Sequence, residues 1–111
     1  MSRRRGAAAE AEAARYLERQ GLRLLERNFS CRWGEIDLIA EDGDTLVFVE
    51  VRWRRTGALV DAAASIDGRK RQKLWRTAQV YLSRYPVPPP CRVDALCGDE
   101  QGWQWLQNIE L

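Results

Sequence analysis

The sequence predicts a layered α/β domain, and three observations carry that prediction. Two segments flanking Asp42-Gly43-Asp44 are apolar on both faces, as strands in the middle of a layered domain are. Stretches with apolar residues at helical spacing lie before and after them. A chain of 111 residues suits a single core and is too short for two.

Residues 7–20 are rich in Ala, Glu, Arg and Leu, all good helix formers. Ala13, Tyr16, Leu17 and Gln20 share one face of that helix, and Gly21 is a natural stop. Residues 22–29 read as a first strand. The hairpin follows, and centring its turn on Gly43-Asp44 sets its register. Ile36 then faces Val51, Leu38 faces Val49 and Ala40 faces Val47, so one side is wholly apolar. On the other side Ile39 faces Phe48, Asp37 faces Glu50 and Glu35 faces Arg52. A slip of one residue would mix charges into both faces, which argues for this register.

Residues 56–65 form a connection with no assigned element. A second helix is expected over 67–85, with Asp67 as N-cap and Leu74, Ala78, Tyr81 and Leu82 on its inner face. The run 86–90 holds four prolines and acts as a rigid connector. Segments 92–97 and 103–107 read as strands, with Trp103 and Trp105 mainly covering the core.

Composition excludes whole classes of chemistry. Hydrophobic residues make up 45% and charged residues 31%, a normal balance for a folded domain. No apolar run approaches the ~20 residues of a membrane span, and the basic N-terminus is not followed by an apolar signal core. A cytoplasmic protein with no membrane contact is the default expectation. The three cysteines, Cys31, Cys91 and Cys97, read as reduced structural thiols. With no histidine, Ser-His-Asp and Cys-His triads and His-ligated zinc sites are ruled out. Hydrolytic chemistry must rest on carboxylates, Lys, Arg or Tyr.

The net charge is only +2, but its distribution is uneven. Arg52, Arg54, Arg55, Arg69, Lys70, Arg71, Lys73 and Arg76 fall in a stretch whose acids are Asp61 and Asp67. That excess suits a phosphate backbone, and a solvated helix face is the plain alternative.

Two carboxylates placed opposite each other on neighbouring strands have Cβ atoms ~4.5–5.5 Å apart and repel. A fold keeps such a pair when something positive sits between them. Arg52 is one candidate, as part of a surface salt-bridge cluster with Glu35, Asp37 and Arg54. A hard divalent cation such as Mg²⁺ or Mn²⁺ is the other, since it prefers carboxylate oxygens and water.

Gly-Glu-Ile-Asp-Leu-Ile-Ala over 34–40, followed by Val-Phe-Val-Glu-Val-Arg over 47–52, resembles the YraN family of predicted bacterial endonucleases. The likeness covers nearly the whole chain. Gly6, Glu10 and Tyr16-Leu17 match the family's opening helix and Glu26-Arg27-Asn28 its first strand. Lys70, Leu74, Ala78, Tyr81 and Leu82 match its second helix, and Arg92-Val93-Asp94 a later strand. That family is similar to archaeal Holliday-junction resolvases and to the PD-(D/E)xK superfamily. The resemblance implies a restriction-endonuclease-like three-layer α/β/α fold with a central mixed sheet. It also implies one nuclease-like domain over residues 1–111, with residues 1–5 a flexible basic N-terminus. Asp37 and Glu50 would ligate Mg²⁺ or Mn²⁺, with the Val51 carbonyl a third ligand. Glu10 would be an extra acid, with Glu35 its alternative.

The superfamily's lysine is replaced by Arg52. Arginine can stabilise a charged phosphate but stays protonated and cannot act as a base. The expected function is therefore a metal-dependent endonuclease acting on DNA, ahead of RNA, with branched or junction DNA as a substrate class. In it Arg52 would contact the scissile phosphate, while Arg54, Arg55, Lys70, Arg71, Lys73 and Arg76 would track the backbone at a distance. Two alternatives are a catalytically silent nucleic-acid-binding domain on the same fold, and a protein-interaction domain, such as a homodimer joined through the hairpin and tryptophans.

Overall fold

The computed structural model describes residues 3–54 and 68–109, with side chains from residue 7 onward. The unassigned connection over 56–65, Arg55, and Asp67 as an N-cap lie outside the described residues. Helix α1 (Arg3–Arg19) precedes three antiparallel strands, β1 (Arg23–Cys31), β2 (Gly34–Asp42) and β3 (Thr45–Trp53). Helix α2 (Gly68–Leu82) then leads to β4 (Cys91–Asp99) and β5 (Gly102–Leu106). The strands form one sheet in sequence order, with β4 parallel to β3 and antiparallel to β5. A parallel neighbour needs a crossover, and α2 lies on that crossover.

The two helices cover opposite faces, giving the three-layer α/β/α architecture that was expected. On one face Ala13, Ala14 and Leu17 of α1 pack on Leu38, Ala40, Val47, Val49 and Leu96. On the other, Leu74, Ala78 and Tyr81 of α2 pack on Ile39, Leu46, Phe48, Val93 and Ala95. No helix among the described residues is long and apolar enough to cross a membrane.

The inner face of α1 runs through Ala9, Ala13 and Leu17, while Gln20 is exposed beyond the helix end. Gly21, at φ +96°, ends the helix as only glycine does readily. The Leu22 N–H donates to the Leu17 carbonyl and the Gly21 N–H to the Glu18 carbonyl. With Leu17 and Leu22 in one apolar cluster, this is a complete Schellman cap. In α2, the expected Leu74, Ala78 and Tyr81 are buried, and so is Thr77, whose hydroxyl donates to the Lys73 carbonyl at 2.8 Å.

A buried carboxylate on β4 ties the last strands together. Asp94 is fully buried and accepts from Arg92 Nε, Trp105 Nε1 and the Asn108 N–H, at 2.8–3.2 Å. Arg92 Nη2 also donates to Asp42 at the hairpin turn, at 2.9 Å. Trp103 and Trp105 flank the α1-side core, as read from the sequence. Trp103 lies flat on Gly98, its cross-strand partner, where a Cβ would stand 2.5 Å from the ring.

Candidate functional site

The hairpin follows the expected register from Asp42↔Thr45 to Leu38↔Val49, and there its ladder ends. Beyond that rung β2 stays paired with β1, through Phe29↔Ile36 to Cys31↔Gly34. β3 stays paired with β4, through Glu50↔Ala95 to Trp53↔Gly98. The sheet therefore forks. Asp37 and Glu50 are not a ladder pair, and Ile36 does not face Val51.

Side-chain alternation breaks at the same place. Leu38 and Ala40 lie on the α1 face, but Ile36 joins Ile39 on the α2 face. Alongside Asp37 in β1, between the rungs Arg27↔Leu38 and Phe29↔Ile36, Asn28 takes φ +57°. An Asn tolerates that left-handed conformation better than most residues. The Val51 N–H, left without a strand partner at the fork, donates to Asp37 Oδ2 at 2.8 Å. A side-chain carboxylate thus replaces a backbone carbonyl, which fixes where Asp37 points.

Three acids meet there. Glu10 from α1, Glu35 from the start of β2, and Asp37 each place a carboxylate oxygen within 4.8 Å of the others. Glu10 and Glu35, read from the sequence as alternatives, are both present. Glu50 is buried beside them but outside that group, because its carboxylate is ion-paired with Arg52. Val51 offers the site its N–H, while its carbonyl receives a long 3.5 Å contact from Arg52 Nη1.

The electrostatics follow from this crowding. Burial, then the Asp37 charge, raises the Glu10 pKa, while Asn28 hydrogen-bonds its carboxylate. Burial raises Asp37 as well, against the opposing pull of the Val51 N–H, Arg52, the Glu10 hydrogen bond and Lys70. Glu50 is pushed up to about 7 by burial and then by Asp37, with Arg52 and Lys70 working the other way. Glu10 and Asp37 hydrogen-bond to each other, which couples their titrations. An all-carboxylate donor set with oxygens this close suits a hard divalent ion, which would compete with protons for these oxygens.

The basic residues divide into separate groups. The positive charge of Lys70 acts on both Asp37 and Glu50. Lys73 lies over Gly34, and Arg76 over Trp33. Arg71 lines a different cavity with Trp75, Cys91 and Arg92. Arg54 ends β3, where its N–H donates to the Gly98 carbonyl. Arg52 is sunk in the sheet, and its Nε and Nη2 are buried with no hydrogen-bond partner among the described residues.

Asn28, Arg32 and Trp33 were missed by the sequence reading. The signal for the last two was an Arg-Trp turn directly before the acidic strand.

A family model described as "Uncharacterised protein family UPF0102" matches residues 9–97. A UPF0102 protein of Janthinobacterium sp. (strain Marseille) is 52% identical over 103 residues, covering 93% of this chain and 84% of its own. UPF0102 proteins of Nitrosomonas eutropha and Stutzerimonas stutzeri are each 48% identical, covering 96% and 93% of this chain and 93% and 91% of their own. The family resemblance read from the hairpin motif is borne out at this level, and the chain belongs to the family UPF0102.

Proposed function

We propose that this protein is a metal-dependent endonuclease that hydrolyses phosphodiester bonds in DNA, with branched or junction DNA as its substrate class. The observation that carries the reading is the meeting of Glu10, Glu35 and Asp37 at the fork, with Lys70 beside them. Asp37, aimed by the Val51 N–H, is the central ligand, and Glu10 and Glu35 stand on either side of it. A divalent cation held there would offset charge on the phosphate and lower the pKa of a bound water. Glu50 holds Arg52 in place. Near neutral pH its raised pKa also suits a proton acceptor. Lys70 adds a positive charge that acts on Asp37 and Glu50, beside the Arg52 charge committed to Glu50.

One observation favours a second reading, a domain that binds DNA without cutting it. Arg52 occupies the superfamily's lysine position and is committed to Glu50. The two readings separate in one assay. Purified protein with Mg²⁺ or Mn²⁺ is incubated with single-stranded, duplex, flapped and four-way-junction DNA, beside Asp37→Asn and Glu10→Gln. Cleavage by the wild type, lost in both variants, supports the nuclease. If the wild type binds but cuts nothing, or if the variants cut equally well, the nuclease reading fails.

A further inference from the structure

Next to the acids lies a basic groove containing an exposed aromatic ring. It has a volume of about 380 Å³ and is lined by Arg32, Trp33, Arg69, Gln72, Lys73 and Arg76. Four of these six carry positive charge and none is acidic. The β1–β2 turn supplies Arg32 and Trp33, and α2 supplies the rest. The Trp33 N–H donates to Cys31 Sγ at 3.4 Å, which helps to set the turn. The Arg32 and Arg76 guanidinium groups lie over the Trp33 ring, at 4.7 and 4.8 Å from its centroid.

Trp33 is 38% exposed. A guanidinium stacked on a ring uses its flat face and keeps its in-plane N–H donors free to meet phosphate. A base adds to such a stack as one more planar layer. A salt-bridged helix surface would need acids among these residues, and the lining has none.

We infer that this groove binds an unpaired stretch of DNA, a base displacing the Arg32 guanidinium to stack on Trp33 while Arg69, Lys73 and Arg76 hold the adjacent phosphates. The inference rests on the nuclease reading for its choice of DNA and for the direction the strand takes. Glu35 is two residues along β2 from Trp33, about 7 Å of strand. Gly34 lies between them and lets α2 close on the turn. A Cβ there would stand 3.3 Å from Thr77 Oγ1 and 3.9 Å from Lys73 Cβ, and the residue has φ +152°. A strand seated on Trp33 therefore runs directly to the acids. In a blunt duplex every base except those of the end pairs is stacked on both faces, so the groove favours unpaired DNA.

The test measures binding without cleavage. Fluorescence anisotropy in a metal chelator follows a labelled mixed-sequence single strand, and the same sequence as a blunt duplex, against the full chain. The single strand binds more tightly than the duplex. Trp33→Ala weakens the single strand about tenfold and the duplex less than about twofold, Trp33→Phe restores most of the loss, and Trp75→Ala changes neither. Equal affinity for the two probes, an unaltered Trp33→Ala variant, or no binding at all overturns the inference. The same preparations are then assayed for cleavage with Mg²⁺. Trp33-dependent binding without cleavage defeats the nuclease proposal and leaves the groove standing. Cleavage with no Trp33 dependence does the reverse.

Discussion

Asp37 Oδ2 accepts the Val51 N–H at 2.8 Å, one step past the last rung between β2 and β3. The acid at the centre of the site is thus also the cap of an opened ladder, and charge and acceptor can be tested separately.

Asp37→Asn keeps an oxygen for the Val51 N–H and removes the repulsion with Glu10 and Glu50. Asp37→Ala removes both. Without metal at pH 8, the Asn variant should be at least as stable as the wild type. The Ala variant should be less stable than the Asn variant by about 1–3 kcal/mol, the cost of an unsatisfied buried donor. Urea unfolding of the three proteins measures this, and an Ala variant as stable as the Asn variant would show the hydrogen bond to be dispensable.

The raised carboxylates set a pH dependence. For Glu10, Asp37 and Glu50 the folded protein holds the proton more tightly than the unfolded chain does. Their contribution is therefore present in full below the ordinary carboxylate range and is lost as pH rises through the folded values. Glu50, at about 7 against an ordinary 4.5, accounts for about 3 kcal/mol of loss by pH 8. Metal-free protein should accordingly melt at lower temperature at pH 8 than at pH 5.5. Mg²⁺ should raise the melting temperature more at pH 8, where it has fewer protons to displace. A melting temperature that climbs steadily with pH in chelator would contradict the origin given for these shifts.

Arg52 ion-pairs with Glu50 while its buried Nε and Nη2 nitrogens find no acceptor among the described residues. Arg52→Lys keeps a cation near Glu50 and removes those guanidinium donors. Its urea midpoint should equal or exceed that of the wild type, and under the nuclease reading its Mg²⁺-dependent cleavage should not fall. Arg52→Met strands Glu50 without a cation and should cost about 3 kcal/mol or more at pH 8. A lysine variant as unstable as the methionine variant would mean that guanidinium shape, rather than charge, is what the sheet requires.

Asp94 provides a contrast, an acid engaged in hydrogen bonds within the fold. It accepts from a guanidinium, an indole and a backbone amide in a fully buried position on β4, across from Val49. Asp94→Ala strands all three donors and should cost about 3–5 kcal/mol, with no change in how Mg²⁺ shifts the melting temperature of the protein that still folds. An altered Mg²⁺ response would tie this network to the acids at the fork.

Much of this fold can be read from pattern alone. The Asp42-Gly43-Asp44 turn and the flanking apolar residues specify five consecutive rungs of the hairpin, and Leu74, Ala78 and Tyr81 specify the buried face of α2. The fork cannot be read that way, because alternation is informative only where apolar and polar residues alternate. At Glu35, Asp37 and Glu50 a carboxylate is compatible with a rung, a side-chain cap or a ligand. What decides among these is the left-handed Asn28 in the next strand and the position of α1 above the sheet, both tertiary facts. The same holds for Glu10, whose distance from Asp37 in sequence says nothing about the hydrogen bond between them. Trp33 went unread for the same reason, since its guanidinium neighbour Arg76 is brought to it only when α2 docks.

The parallel pairing of β3 with β4 has a consequence for how the chain is made. Cys91 follows Trp53 by 38 residues, so a ribosome extends the chain for about 2–8 s between completing β3 and beginning its partner. Throughout that interval β3 is an open edge, and its central residues Leu46, Val47, Phe48 and Val49 are uninterrupted by charge or proline. An uncovered edge of that composition is a template for pairing between chains. The nascent protein is therefore most vulnerable to self-association before β4 arrives, and a chain cut short in α2 should aggregate where the full chain stays in solution.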